Sequence, residues 1–208
     1  MIRFIIYLFI GSYGLLVHAE LKPDYSINDQ YSQYTYGGIG LIETPNARFS
    51  NDGEFRFGIS SEAPFNRLYA SMQFFPWLEA VVRYTEGTYE DYYGAGFKTD
   101  APQTWKDKGL DVKIKLMEEN SILPEVALGF VDLGGTGAYS SEYLVASKRF
   151  QNLDWSIGIG WGRLAGVEHV NNIIGWLDAN RKTRGGYKSR GGALSLDRFF
   201  SGKNNSIL

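Results

Sequence analysis

The sequence predicts an all-β fold: an antiparallel transmembrane β-barrel, incomplete as it stands or forming the N-terminal portion of a larger one. Three observations predict it. Apolar and polar residues alternate with a period of two in segment after segment; 25 Gly, 13 Phe, 5 Trp and 14 Tyr weight the composition towards strands; and the connections alternate between short and long.

Residues 1–19 place Arg3 before an apolar run of about 14 residues that ends in Val17-His18-Ala19, too short for the roughly 20 that cross a bilayer as a helix. This predicts a secretory signal cleaved before Glu20. Residues 20–36 are polar and tyrosine-rich without a period, and read as a leader. Residues 37–202 form the barrel portion, and 203–208 a short tail. The first part of the barrel region, 37–43, lacks clean alternation and is expected to be an edge, luminal or periplasmic piece, not a full crossing.

From there the strands follow in order. Phe55, Phe57 and Ile59 oppose Glu54, Arg56, Gly58 and Ser60, while Leu68, Ala70, Met72 and Phe74 oppose Tyr69, Ser71 and Gln73. After a tight Phe75-Pro76-Trp77 connection, Leu78, Ala80, Val82 and Tyr84 alternate with Glu79, Val81, Arg83 and Thr85. Leu110, Val112, Ile114 and Leu116 oppose Asp111, Lys113 and Lys115; Val126, Leu128 and Phe130 oppose Glu125, Ala127 and Gly129. The segment 143–150 is less regular. The last, Trp155, Ile157, Ile159 and Trp161 against Ser156, Gly158, Gly160 and Gly162, sets a bulky apolar face against a small one. About eight strands are expected between Glu54 and Phe200, and residues 167–177 have room for a short helix in a loop.

Alternation suits both a soluble sandwich and a membrane barrel. Strands of about 8 to 10 residues match the roughly 9 to 11 that cross a bilayer when tilted. Connections at 76–77, 120–123 and 151–154 are short, those at 87–109 and 165–190 are long, and the one at 134–141 is intermediate. Phe74, Phe75, Trp77, Trp155 and Trp161 lie near strand ends, where an interfacial girdle would sit. The barrel is therefore the expectation, with Trp155, Ile157, Ile159 and Trp161 facing lipid. A soluble periplasmic carbohydrate-binding sandwich is the alternative.

Composition removes several chemistries. A formal charge of −2 offers nothing to nucleic acid. The absence of cysteine removes disulfides, zinc ribbons, thiol nucleophiles and a lipid anchor on an N-terminal Cys. Beyond the signal, His169 is the single histidine, in a loop and without a nucleophile elbow, so a barrel enzyme using His169 is a distant third reading. The expectation is no enzyme, no cofactor and no metal. The glycine clusters 134–137 and 158–162 contain no phosphate-loop lysine and read as a tight loop and a wall of small residues. Acid pairs such as Asp111 with Glu125, or Asp132 with Glu142, read as luminal or solvated charges.

What remains is the polar face. Arg56, Glu79, Arg83, Asp111, Lys113, Lys115 and Glu125, with Lys148, would line a lumen able to contact a hydrophilic polymer, and Tyr69 would offer an aromatic platform to a sugar.

Several segments go beyond alternation. Residues 38–48 (Gly-Ile-Gly-Leu-Ile-Glu-Thr-Pro-Asn-Ala-Arg), 52–58, 124–137, 141–150 (Ser-Glu-Tyr-Leu-Val-Ala-Ser-Lys-Arg-Phe) and 158–163 resemble the YjbH-like outer-membrane proteins linked to exopolysaccharide production and export. The resemblance runs from about residue 37 to 202. It implies an outer-membrane barrel acting beside small lipoproteins and periplasmic secretion partners, in contact with lipid and polysaccharide, with no catalytic residue to carry over. The resemblance is to much longer chains, of several hundred residues, so the sequence is expected to be the N-terminal part of one, at the extreme a truncated fragment without export function.

Overall fold

Seven long strands form where the sequence alternates. The structure is a computed structural model describing residues 5–8, 15–18, 31–91, 104–151, 153–166, 170–185 and 198–208. Two short strands, β1 (Ile5–Leu8) and β2 (Leu15–His18), pair with each other within the apolar N-terminal segment. A two-residue ladder, β3 (Gly40–Leu41) with β4 (Thr44–Pro45), follows. The long strands are β5 (Phe55–Glu62), β6 (Phe65–Phe75), β7 (Leu78–Asp91), β8 (Thr104–Met117), β9 (Glu125–Val131), β10 (Ser141–Phe150) and β11 (Leu153–Gly162). Each pairs antiparallel with the next. A short β12 (Val170–Asn171), the helix α1 (Ile173–Leu177) and β13 (Asn204–Ile207) complete the described elements. The helix falls within the loop segment where one was expected.

The main sheet has nine strands in the order β12-β13-β11-β10-β9-β8-β7-β6-β5. It is open, with β5 and β12 at its edges, so closure into a barrel is not part of the described structure. Residues 203–208 are not a tail outside the sheet. Through β13 they pair Ile207 with Ile159 and Ser206 with Gly160. The local sequence gave no alternation there because only two ladder positions are shared.

The expected loop 87–109 is shorter than read. β7 continues to Asp91 and β8 begins at Thr104, pairing Glu86 with Lys106 and Thr85 with Asp107. Both faces become polar at this level, so the period-two signal disappears while the backbone ladder carries on.

The two faces of the sheet are reversed with respect to a water-soluble core. Phe57 is 66% exposed, Ile59 78% and Val82 63%, whereas Arg83 and Lys113 on the opposite face are 1% and 2% exposed. Side chains alternate across a strand, so one parity presents apolar groups outward and the other stacks charges inward. Among the described residues no second layer covers Phe55, Phe57, Ile59 or Val82 on the apolar face, as a sandwich would require. No helix among the described residues is long and apolar enough to cross a membrane.

Two outward positions depart from this rule. Phe130, Glu142 and Trp161 form one cross-strand row on the apolar face, yet Trp161 is buried. Asn172, Arg184 and Phe200 lie over the row: Trp161 Nε1 donates to Asn172 Oδ1 at 3.0 Å, and Phe200 packs edge-on against Trp161 and Phe130. The cause is Glu142, a charge on an apolar face, which accepts from Arg184 at 2.7 and 2.9 Å and from the Phe200 amide at 2.8 Å. Trp161 therefore does not face outward, whereas Trp155 and Ile157 do. Lys148 also lies on the apolar face, opposite Trp155, and not among the inner charges. Its stem runs along that face while its ammonium reaches Glu119 at 3.0 Å beside the turn.

Candidate functional site

The polar face is filled by the chain's own residues 31–53. This segment carries β3 and β4 across the sheet, which is why 37–43 makes no crossing of its own. Gly37 has φ +98°, and a Cβ there would stand 2.5 Å from the Tyr69 ring, so only glycine lets the backbone lie this close. Tyr69 is consequently covered by residue 37 and by Gly58, and offers no open ring face.

The charged residues singled out in the sequence hold this segment in place. Glu79 accepts from the Ile39 amide with both oxygens at 3.3 Å and pairs with Lys113 at 3.2 Å. Lys113 donates to the Arg48 carbonyl at 2.7 Å and to that of Ile39 at 3.3 Å. Lys113 and Lys115 lie over the Phe49 ring at 4.6 and 5.0 Å, and Lys115 pairs with Glu125 at 2.9 Å. Arg56 bonds Glu54 at 2.6 Å and the Tyr31 carbonyl at 2.9 Å. Arg83 pairs with Asp111 and lies over the Tyr36 ring at 4.6 Å; Asp111 also accepts from the Asp132 amide at 2.8 Å. The two acid pairs considered above are not pairs: Asp111 belongs with Arg83, and Glu142 is on the opposite face.

The residue that sequence reasoning missed is Arg48. Its guanidinium, 3% exposed for the residue as a whole, reaches Glu125 at 3.0 Å and Asp154 at 2.6 and 3.1 Å, and also contacts Glu119. These carboxylates come from the 118–124 turn and from two strands, so one arginine ties the inserted segment to that turn, to β9 and to β11. Its place in the Thr-Pro-Asn-Ala-Arg stretch was the available signal. Desolvation works against the Glu119 carboxylate, but the Arg149 amide and the Arg48 and Lys148 side chains hold it down at about 2. Arg48 and its partners are a structural clamp.

The other end of the polar face is built differently. The row Arg67, Thr85 and Asp107 runs across β6, β7 and β8 beneath Tyr36, Phe65, Trp105 and Tyr139. Burial, and then the charge of Asp107, push the Asp132 carboxyl up to about 7. Burial likewise raises the Tyr139 phenol. Among the described residues, no group of three or more His, Asp or Glu is arranged to hold a metal ion. His169 lies outside the described residues.

Fold and site together define an inside-out antiparallel sheet: apolar face uncovered, charges buried and paired beneath an inserted segment. The chain belongs to the YjbH family, whose model, described as "Exopolysaccharide biosynthesis protein YbjH", matches residues 32–206. It is 42% identical over 144 residues to a protein of Escherichia coli (strain K12) named "Uncharacterized lipoprotein YjbH". That alignment covers 69% of this chain and 20% of the relative, so the chain spans about a fifth of the relative's length. No solved structure matches.

Proposed function

We propose that this chain forms part of an outer-membrane β-barrel that acts in exopolysaccharide production, its apolar face in lipid, its polar face inward and residues 31–53 seated inside. The observation that carries the reading is the reversal of the two faces. Each exposed Phe or Ile left in water forfeits roughly 1.5–3 kcal/mol, so a whole face of them calls for an apolar surrounding. The open edges at β5 and β12 leave backbone groups that lipid cannot satisfy, and the proposed barrel therefore closes through further strands. In this orientation the short turns at 76–77, 118–124 and 151–152 face the periplasm and the long connections face outward. The barrel binds and guides polymer without catalysis. Periplasmic secretion partners and lipoproteins meet it at the short-turn side.

The test is insertion. Ile157→Asp places a charge on the proposed lipid face, where it costs up to about 2–4 kcal/mol by analogy with cations at mid-bilayer. Ser156→Asp is the polar-face control. Gly158 on the same face is unsuitable, because a Cβ there would meet the Leu144 carbonyl oxygen at 2.8 Å. Loss of membrane-integrated protein for Ile157→Asp alone supports the barrel. Equal effects, or recovery of the unaltered chain folded in the soluble periplasm, would support the carbohydrate-binding sandwich instead.

A further inference from the structure

A cavity of about 240 Å³ opens at the long-loop end between the inserted segment and β6. Arg67 lines it, 3% exposed, stacked on Tyr36 at 4.7 Å and on Phe65 at 5.2 Å. Its Nε and Nη1 have no hydrogen-bond partner; the nearest carboxylate oxygen, on Glu62, is 3.6 Å from Nη1. A guanidinium is a planar fork whose donors match a carboxylate two at a time, and a buried one with unmatched donors is costly unless something meets them. A second guanidinium, the exposed Arg163, stands on the same cavity, held over the rings of Tyr139 at 4.6 Å and Phe65 at 5.4 Å.

Beside the guanidiniums the lining changes in kind. Glu43 and Glu62 both line the cavity, Glu62 at 3.6 Å from Arg67. A small dianion would meet two carboxyl groups there. A sugar would instead donate its hydroxyls to them while its C–H surface meets Pro45, Pro64, Phe65 and Leu164. The volume lies below the roughly 300–1,000 Å³ of pockets that enclose drug-sized ligands, which suits one sugar ring and not a folded chain.

We propose that this cavity is a subsite for one carboxylated sugar residue, its carboxylate held by Arg67 and Arg163 and its hydroxyls by Glu43 and Glu62. The polymer served by the barrel is thereby an acidic polysaccharide; this last step rests on the function proposed above. The unpartnered groups next in the row, the Thr85 hydroxyl and the acceptor Asp107 Oδ2, continue polar groups away from the cavity along the sheet.

The experiment is calorimetric titration of the purified chain in detergent with β-1,4-linked tetraglucuronate, with the neutral cellotetraose and with inorganic phosphate. Tetraglucuronate is expected to bind at least about tenfold more tightly than either competitor. Arg163→Gln, on an exposed side chain, should weaken it about tenfold with an unchanged melting temperature, and Arg67→Lys, which keeps the charge and removes the fork, should weaken it further. Equal binding of cellotetraose, equal binding of phosphate, no binding of tetraglucuronate, or indifference to Arg163→Gln would each overturn the assignment. A chain that inserts into membranes but ignores tetraglucuronate defeats this inference alone. One that binds tetraglucuronate but stays soluble defeats the barrel and leaves the subsite standing.

Discussion

The two ends of the polar face use the same residue types to opposite effect. At the short-turn end, Arg48, Lys113, Lys115, Glu79, Glu125 and Asp154 meet one another at hydrogen-bond distance, and Gln73 Oε1 is the local exception without a partner. At the long-loop end, Arg67, Arg83, Thr85, Asp107 and Asp132 all carry buried atoms with no hydrogen-bond partner among the described residues. Buried polar atoms are normally satisfied, so a concentration of unsatisfied ones on one side of an otherwise well-paired face separates a clamp from a site. The charged residues of the sequence motif thus divide into those that fix residues 31–53 and those that leave capacity for something else.

That contrast has a direct mutational consequence. Arg48→Met takes the shared buried cation from three carboxylates, leaving Glu125 to Lys115 and Glu119 to Lys148, and should destabilise the chain by about 3 kcal/mol, read as a shift in the denaturant midpoint in detergent. Arg67→Met should change stability by less than about 1 kcal/mol, since it removes a cation whose nearest carboxylate is 3.6 Å away and leaves a side chain of similar size against the Tyr36 and Phe65 rings. Similar losses for both would erase the distinction between the two ends.

A smaller effect separates them by pH. Asp132 in the native chain titrates near 7, above the usual aspartate value, so the folded state holds a proton that the unfolded state has released. Stability from this group is full below about pH 4 and is lost as pH rises through 7, on the order of 2 kcal/mol. Asp132→Asn, which can still accept from the Tyr139 amide, should flatten that decline. At the clamp the sign is reversed. Glu119, held at about 2, contributes stability above about pH 4 that disappears as pH falls towards 2, ~1 kcal/mol for a partly exposed group. Glu119→Gln should remove that acid-side loss, measured by unfolding at pH 2 to 5. The least effect belongs to Arg56→Ala, which breaks a pair at the edge of the sheet and should cost about 0.5 kcal/mol.

The strands were legible because alternation is a local property: six of the seven long strands contain a segment that alternates cleanly, and β10 covers the 143–150 segment read as less regular. The apolar and polar parities were legible for the same reason, and so was the failure of 37–43 to cross. What the sequence did not disclose depends on contacts distant along the chain. Glu142 breaks the apolar parity of β10, but nothing near it announces that Arg184, 42 residues on, will cover it and bury Trp161. Arg48 resembles any arginine after a proline turn until the inserted segment carries it to Glu125 and Asp154. Tyr69 was read as an open platform because its strand alternates cleanly; the cover comes from Gly37, a residue whose importance lies in having no side chain.

The central claim is that the face bearing Phe57, Val82 and Ile157 meets lipid while the charged face does not. The chain has no cysteine, so single-cysteine variants can carry one fluorophore each without background labelling. Val82→Cys and Ile157→Cys, labelled and reconstituted into vesicles, should be quenched by lipids brominated in their acyl chains and protected from aqueous iodide; Ser121→Cys, exposed in the 118–124 turn, should respond the other way. Iodide reaching the Val82 and Ile157 labels as freely as the Ser121 label, with no quenching by brominated lipid, would contradict the claim.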